Sequence, residues 1–146
     1  MITAISDWAS RHYYLIAERA YVLHAEGRYH EALLLFDGLL AINPLDSYCR
    51  EAISALHLAL GQWEETVHAS SLVLEADSLN KYALARRCEA YIQLDRLSDA
   101  ERDLQLLRQS GALAHARRMQ SRLSTAKQKG GAANHASSAA RAAITG

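Results

Sequence analysis

The sequence predicts an all-α chain of three helical hairpins followed by one further helix, and three observations carry that prediction. First, the hexapeptide Gly27-Arg28-Tyr29-His30-Glu31-Ala32 recurs 34 residues later as Gly61-Gln62-Trp63-Glu64-Glu65-Thr66, and after another 34, more weakly, as Asp95-Arg96-Leu97-Ser98-Asp99-Ala100. A fixed period of this size marks a stack of identical supersecondary units. Second, the 146 residues contain one Pro, one Phe and seven Gly while 50% are hydrophobic, a composition rich in core formers and poor in the turns a β-sandwich needs. Third, the apolar residues between the turns recur at helical spacing.

Each element follows in order. Ser6 or Asp7 is placed to cap a helix running to about Glu26, where Gly27 breaks it. A second helix, about Tyr29 to Ile42, carries Ala32, Leu35, Phe36, Leu39 and Leu40 on one face and stops before Asn43-Pro44. The plan repeats from about Ser47 to Leu60 and from Trp63 to Ala76, ending at Asp77-Ser78. Asn80 is placed to cap a helix to Leu94, and Ser98 opens another that ends near Ser110-Gly111. The hairpins therefore span about 8–42, 47–76 and 81–110. A last helix, about Leu113 to Lys127, has few apolar positions and reads as a polar cap over the final hairpin, closing a domain at 1–128. Residues 130–146 are Ala-rich with Ile144 as the one large apolar residue, so no packing face offsets the entropy of ordering them, and a disordered tail is expected.

Ala20, Ser54 and Cys88 share one register of the first helices, where small side chains allow close helix approach. Phe36, Leu39, Val73, Leu74, Leu104 and Leu107 supply the core of the second helices. Cys49 and Cys88 match neither a disulfide framework nor a zinc spacing, and Cys88 is explained by packing. The N-terminus lacks a basic start and a long apolar stretch, so no secretory signal is expected and a reducing cytoplasmic setting is the simplest. No apolar run approaches the roughly 20 residues of a bilayer crossing.

The 34-residue period, Ala32 with Phe36, and Pro44 closing the second helix resemble the tetratricopeptide repeat (TPR), over about 13–112. Thr66, Ser70 and Ser78 depart from the repeat's usual small, aromatic and proline positions. The resemblance implies a right-handed superhelix of three TPR-like hairpins with a C-terminal capping helix, its first helices lining the concave side. Tyr14, Tyr48 and Tyr82, again 34 apart, would then form a column in the groove. Around them would lie Ala17, Tyr21 and His24, then Glu51, Ala55 and Leu58, then Ala85, Arg86, Glu89 and Ile92. Tyrosine suits peptide binding because a rigid ring gives contact area at low entropic cost and its hydroxyl can bond a ligand backbone. The competing reading is that these rings pack between hairpins. Glu51 and Glu89 disfavour the carboxylate-ended ligands that co-chaperone repeats hold, leaving a neutral or apolar peptide.

Three hairpins, a C-terminal helix, the tyrosine column and the run Ala17-Glu18-Arg19-Ala20-Tyr21 are similar to the class II chaperones of bacterial type III secretion. That resemblance implies a cytoplasmic, non-catalytic chaperone that grips an extended apolar segment of a hydrophobic secreted translocator. No cofactor or metal is expected, since the seven histidines include no i,i+4 pair and no glycine-rich phosphate loop is present.

Two alternatives remain open. Trp8, Tyr13 and Tyr14 crowd the first helix and must be covered by the chain's own first unit or by a second copy, which makes a homodimer or a self-associating scaffold possible. Residues 111–146 carry 6 Lys/Arg and no acid, whereas residues 1–110 carry 10 Lys/Arg against 16 Asp/Glu. The cluster Arg117, Arg118, Arg122, Lys127 and Lys129 could meet nucleic acid or an anionic membrane, or serve solubility and pairing with acids. It lacks the interleaved aromatics and the apolar face that would favour the first two, so neither nucleic-acid binding nor membrane insertion is expected.

Overall fold

Left-handed turns set the hairpins. Gly27, Gly61 and Gly111 adopt φ of 77°, 69° and 76°, and Asp95 takes the same role at 57°. At each, the chain closes the preceding helix with the same pair of backbone bonds, as in Gly27 N to His24 O (3.0 Å) and Arg28 N to Leu23 O (2.9 Å), or Asp95 N to Ile92 O (3.1 Å) and Arg96 N to Tyr91 O (2.8 Å). These bonds satisfy carbonyls a helix end leaves free and reverse the chain into the next helix.

The computed structural model describes the backbone of residues 2–144 and the side chains of residues 7–144. Its described residues form seven helices: α1 (Ile2–Ala25), α2 (Tyr29–Ile42), α3 (Ser47–Ala59), α4 (Trp63–Ala76), α5 (Lys81–Gln93), α6 (Leu97–Gln109) and α7 (Leu113–Ile144). The all-α hairpin architecture read from the period is the observed one. By their contacts they group into two compact units, α1–α4 and α5–α7. None is long and apolar enough to cross a membrane.

Two elements differ from expectation. Neither Ser6 nor Asp7 caps the first helix: α1 already begins at Ile2, the Ser6 side chain lies outside the described residues, and Asp7 instead accepts a bond from Arg11 at 2.8 Å, one turn on. The last helix does not end near Lys127 but continues to Ile144, through residues expected to be a disordered tail; Thr145 and Gly146 lie outside the described residues. Alanine's helix propensity allows the continuation. The side chains from Lys127 onward are nevertheless exposed, so the missing packing face is a feature of the structure as of the sequence.

In the first unit the core joins Ala20 and Leu23 of α1, Ala32, Phe36 and Leu39 of α2, Cys49, Ile53 and Leu56 of α3, and Ala69 of α4. Asp46 caps α3 by accepting from the Cys49 amide at 3.1 Å. The second unit buries Ala83, Leu84, Cys88, Ala100, Leu104 and Leu107, and α7 adds Ala116, Met119 and Leu123. Asn80 caps α5, accepting from the amides of Tyr82 and Ala83 at 3.1 and 3.0 Å. Two small-residue registers are wholly shielded: Ala20, Ser54 and Cys88 in the first helices, and Ala32, Thr66 and Ala100 in the second, are all 0% exposed. A methyl-sized or hydroxyl side chain at those places is what lets each helix pair approach closely.

Candidate peptide-binding face

The three tyrosines of the repeated register are surface groups. Tyr14 is 69% exposed, Tyr48 76% and Tyr82 48%, so none of the three rings is buried.

In the first unit, α1 and α3 are pinned by the residue beside the column. The Tyr13 hydroxyl donates to Asp46 Oδ2 and lies 3.6 Å from Cys49 Sγ. Burial first, then this bond, holds the Tyr13 phenol far above its ordinary value. Burial alone would raise the Asp46 carboxyl, but the bonds from Tyr13 and the Cys49 amide outweigh it and hold it below the usual range. Tyr21 packs edge-on against Phe36 at 5.0 Å while remaining 45% exposed. Its phenol is raised by burial and then by the negative fields of Cys49, Asp46, Glu51 and Tyr48, so residues of α3 lie close enough to act on it. Ala17 packs on the core and is half-buried, as are Ala55 and Leu58. His24 is half-buried with its ring tilted against Tyr29 at 5.8 Å. In the first unit, therefore, Tyr21 lies within electrostatic reach of Tyr48 and Glu51, Tyr14 meets Tyr13 edge-on at 6.3 Å, and Ala17 packs on the core. Tyr13, absent from the expected set, is what fixes this geometry; its only sequence signal is its place next to Tyr14.

The second unit departs further from an open floor. Tyr82 keeps its exposure, with the Lys81 ammonium 5.1 Å and the Arg86 guanidinium 5.9 Å from its ring centre, and the His115 ring of α7 edge-on at 5.6 Å. Burial lowers the His115 imidazole's pKa, helped by Arg118 and Lys81, so the ring meets Tyr82 as a neutral group near pH 7. Ala85 and Glu89, expected to line the groove, are instead buried at 4% and 7% exposed. For Glu89 the cause is α7. Arg122 Nη1 lies 2.5 Å from Glu89 Oε2 as an ion pair that is not aligned as a hydrogen bond, and Gln93 Nε2 donates to Glu89 Oε1 at 3.0 Å. Glu89 is thus a neutralised packing residue and repels no ligand. Ile92 is half-buried and borders a cleft of about 600 Å³ with Ser121, Thr125, Ala126 and Lys129 of α7.

Both cysteines are shielded and poor nucleophiles: burial pushes the Cys88 thiol up to about 12 and raises that of Cys49. Among the described residues no group of three His, Cys, Asp or Glu side chains could hold a metal ion.

No protein-family profile and no curated protein sequence matches the chain. Solved structures do. A tetratricopeptide repeat protein from Parabacteroides merdae superposes with a TM-score of 0.72 at 23% identity over 80% of this chain, which spans 46% of that protein's length. PcrH from Pseudomonas aeruginosa gives 0.69 at 19% identity, over 80% of this chain and 92% of its own. The Yersinia enterocolitica type III secretion chaperone SycD, in complex with a peptide of the translocator YopD, gives 0.70 at 22% identity, over 79% and 92%. At these identities the likeness is one of fold, and the fold is that of TPR helical hairpins.

Proposed function

We propose that this chain is a non-catalytic binding module that holds an extended apolar segment of a secreted partner on the tyrosine-bearing faces of its first helices, as a cytoplasmic chaperone of a type III secretion translocator. The observation that carries the reading is the exposure of Tyr14, Tyr48 and Tyr82 at one repeat register. Water-facing aromatic rings backed by a packed core are contact surface that folding leaves unused, and Tyr binds peptide with little side-chain entropy to lose. Ala17 and Ala55, half-buried on the same helices, leave room for the partner's side chains. PcrH and SycD, which share the fold, have been solved with the chaperone binding region of PopD and with a YopD peptide. The work is stoichiometric: an aggregation-prone segment is kept from pairing with others until release. Shielded, high-pKa thiols fit a module with no bond to break.

A second reading has one observation in its favour. Trp8, Leu15 and Val22 are 63%, 60% and 45% exposed along α1, a strip that a second copy of the chain could cover. Mass in solution as a function of concentration separates the two readings. The basic cluster is less available for nucleic acid than its count suggests, because Arg122 pairs with Glu89 and Lys127 with Glu101.

The test is a pull-down from the source cell with the wild-type chain and with Tyr14→Ala/Tyr48→Ala/Tyr82→Ala. Loss of one dominant apolar partner by a variant that keeps its helicity is the expected result. Retention of every partner would move the function to another face.

A further inference from the structure

A second surface of the first unit has the make-up of a site, away from the tyrosines. A cleft of about 480 Å³ opens among α2, α3 and α4, inside the range of about 300–1,000 Å³ that ligand sites occupy. Leu40, Ile53, Ala69 and Leu72 give it an apolar lining, with Ile53 and Ala69 buried beneath. At its edge stand the carboxylates of Asp37, Glu64 and Glu65, all exposed. Among the described residues no Lys or Arg forms an ion pair with any of the three, while the Asp37 carboxyl is raised by burial and lowered by the neighbouring His57. Its other polar groups are His68 and His57, the latter with Nδ1 2.7 Å from Gln62 Oε1.

The repeat itself shows which chemistry belongs there. One period on, the places of Ile53 and Ala69 are taken by Arg87 and Asp103. In the second unit these two bridge α5 and α6 by a two-pronged bond, Arg87 Nε to Asp103 Oδ2 at 2.9 Å and Nη2 to Oδ1 at 2.6 Å. At the same register the first unit offers an apolar bed and carboxylates without a guanidinium bonded to them; the nearby Arg50 of α3 donates instead to the Leu72 carbonyl at 3.5 Å. We infer that this cleft docks an arginine carried on an apolar segment of a partner protein. The aliphatic stem lies along Ile53, Ala69 and Leu72, and the guanidinium meets Glu64, Glu65 and Asp37. A stem that covers apolar surface while its head stays among rim carboxylates is what a long cationic side chain does well, and the planar fork of arginine matches carboxylates better than the point charge of lysine. A free acidic patch without the apolar bed would attract any cation; the bed selects one with a hydrocarbon stem.

The probe is a fluorescein-labelled Ser-Leu-Arg-Leu-Ser peptide, compared with the same peptide bearing citrulline, a neutral isostere of arginine, on the full chain by fluorescence anisotropy. The arginine peptide binds, loses affinity as salt rises, and loses about fivefold or more on Glu64→Gln/Glu65→Gln, as two rim charge pairs allow. Glu75→Gln/Asp77→Asn, which removes equal charge from the same unit, leaves binding intact, and so does Tyr48→Ala. Ile53→Arg/Ala69→Asp, which recreates the second unit's bridge, abolishes it; Glu64→Gln/Glu65→Gln alters only exposed side chains and keeps the test valid should that variant fail to fold. Equal binding of the citrulline peptide, or equal loss in the Glu75/Asp77 control, overturns the proposal as mere charge attraction. Loss with Tyr48→Ala overturns it by placing the peptide on the tyrosine face. Self-association of the chain abolished by Glu64→Gln/Glu65→Gln overturns it in favour of a second copy as the occupant.

Discussion

Asp95 occupies with φ 57° the left-handed position that glycine holds in the two earlier hairpins. That conformation costs an L residue about 1–2 kcal/mol, against about 0.4–1 kcal/mol of extra unfolded-state entropy for glycine. Asp95→Gly is therefore expected to raise stability by about 0.5–1 kcal/mol in urea titration. The Tyr13 hydroxyl bond to Asp46 works in the opposite sense. Half-buried and partly screened, it contributes about 1 kcal/mol, so Tyr13→Phe lowers stability by that much at neutral pH. Because the folded Asp46 carboxyl sits below its usual range, its contribution is present above the unfolded value near pH ~4 and is lost as pH falls through the folded value. The deficit of Tyr13→Phe should thus narrow below about pH 4 in acid melts. The shared register of Tyr14, Tyr48 and Tyr82 was legible in the sequence, but their exposure was not, since a period assigns register and not depth. Glu89 was misplaced for a related reason: it pairs with Arg122 of α7, which follows no repeat signal.

At the scale of the helix, α7 divides at its last buried side chain. Ala116, Met119 and Leu123 hold it to the second unit, while everything from Lys127 to Ile144 is exposed and includes Gly130 and Gly131. Met119→Ala is expected to cost about 2–5 kcal/mol, the range for emptying a packed site. A chain ending at Lys129 should melt within about 0.5 kcal/mol of the full one, because no burial is lost. Hydrogen exchange would divide α7 at the same place, with slow amides before Leu123 and fast ones beyond Gly131. The sequence showed the absence of a packing face after 130 but not the helix there, since alanine propensity and missing burial point in opposite directions. The α5–α6 pair carries the other strong element-scale bond: Arg87 and Asp103 are 19% and 2% exposed in their side chains. Asp103→Ala should cost about 1.5–3 kcal/mol by removing the two-pronged, charge-assisted bond that joins α5 to α6.

For the molecule as a whole, one period explains the hairpins, the shielded small-residue registers, the like turns at Gly27, Gly61 and Asp95, and the shared register of the tyrosines. The fold was readable because those features repeat. The polar bonds that tune each unit, Tyr13 to Asp46, Arg87 to Asp103 and Arg122 to Glu89, break the repeat and had to be seen. So did the difference between an Arg87–Asp103 bridge and an Ile53–Ala69 cleft at one register. The central claim, that the first-helix tyrosines are the partner-binding face, is tested most directly by placing a photo-crosslinking amino acid at Tyr48 and, in a separate chain, at Leu34 of α2, which is equally open at 73% exposed. Irradiation in the source cell should join Tyr48, and not Leu34, to one apolar segment of a single partner. Crosslinks at Leu34 alone, or at both positions to the same unrelated proteins, would contradict the account.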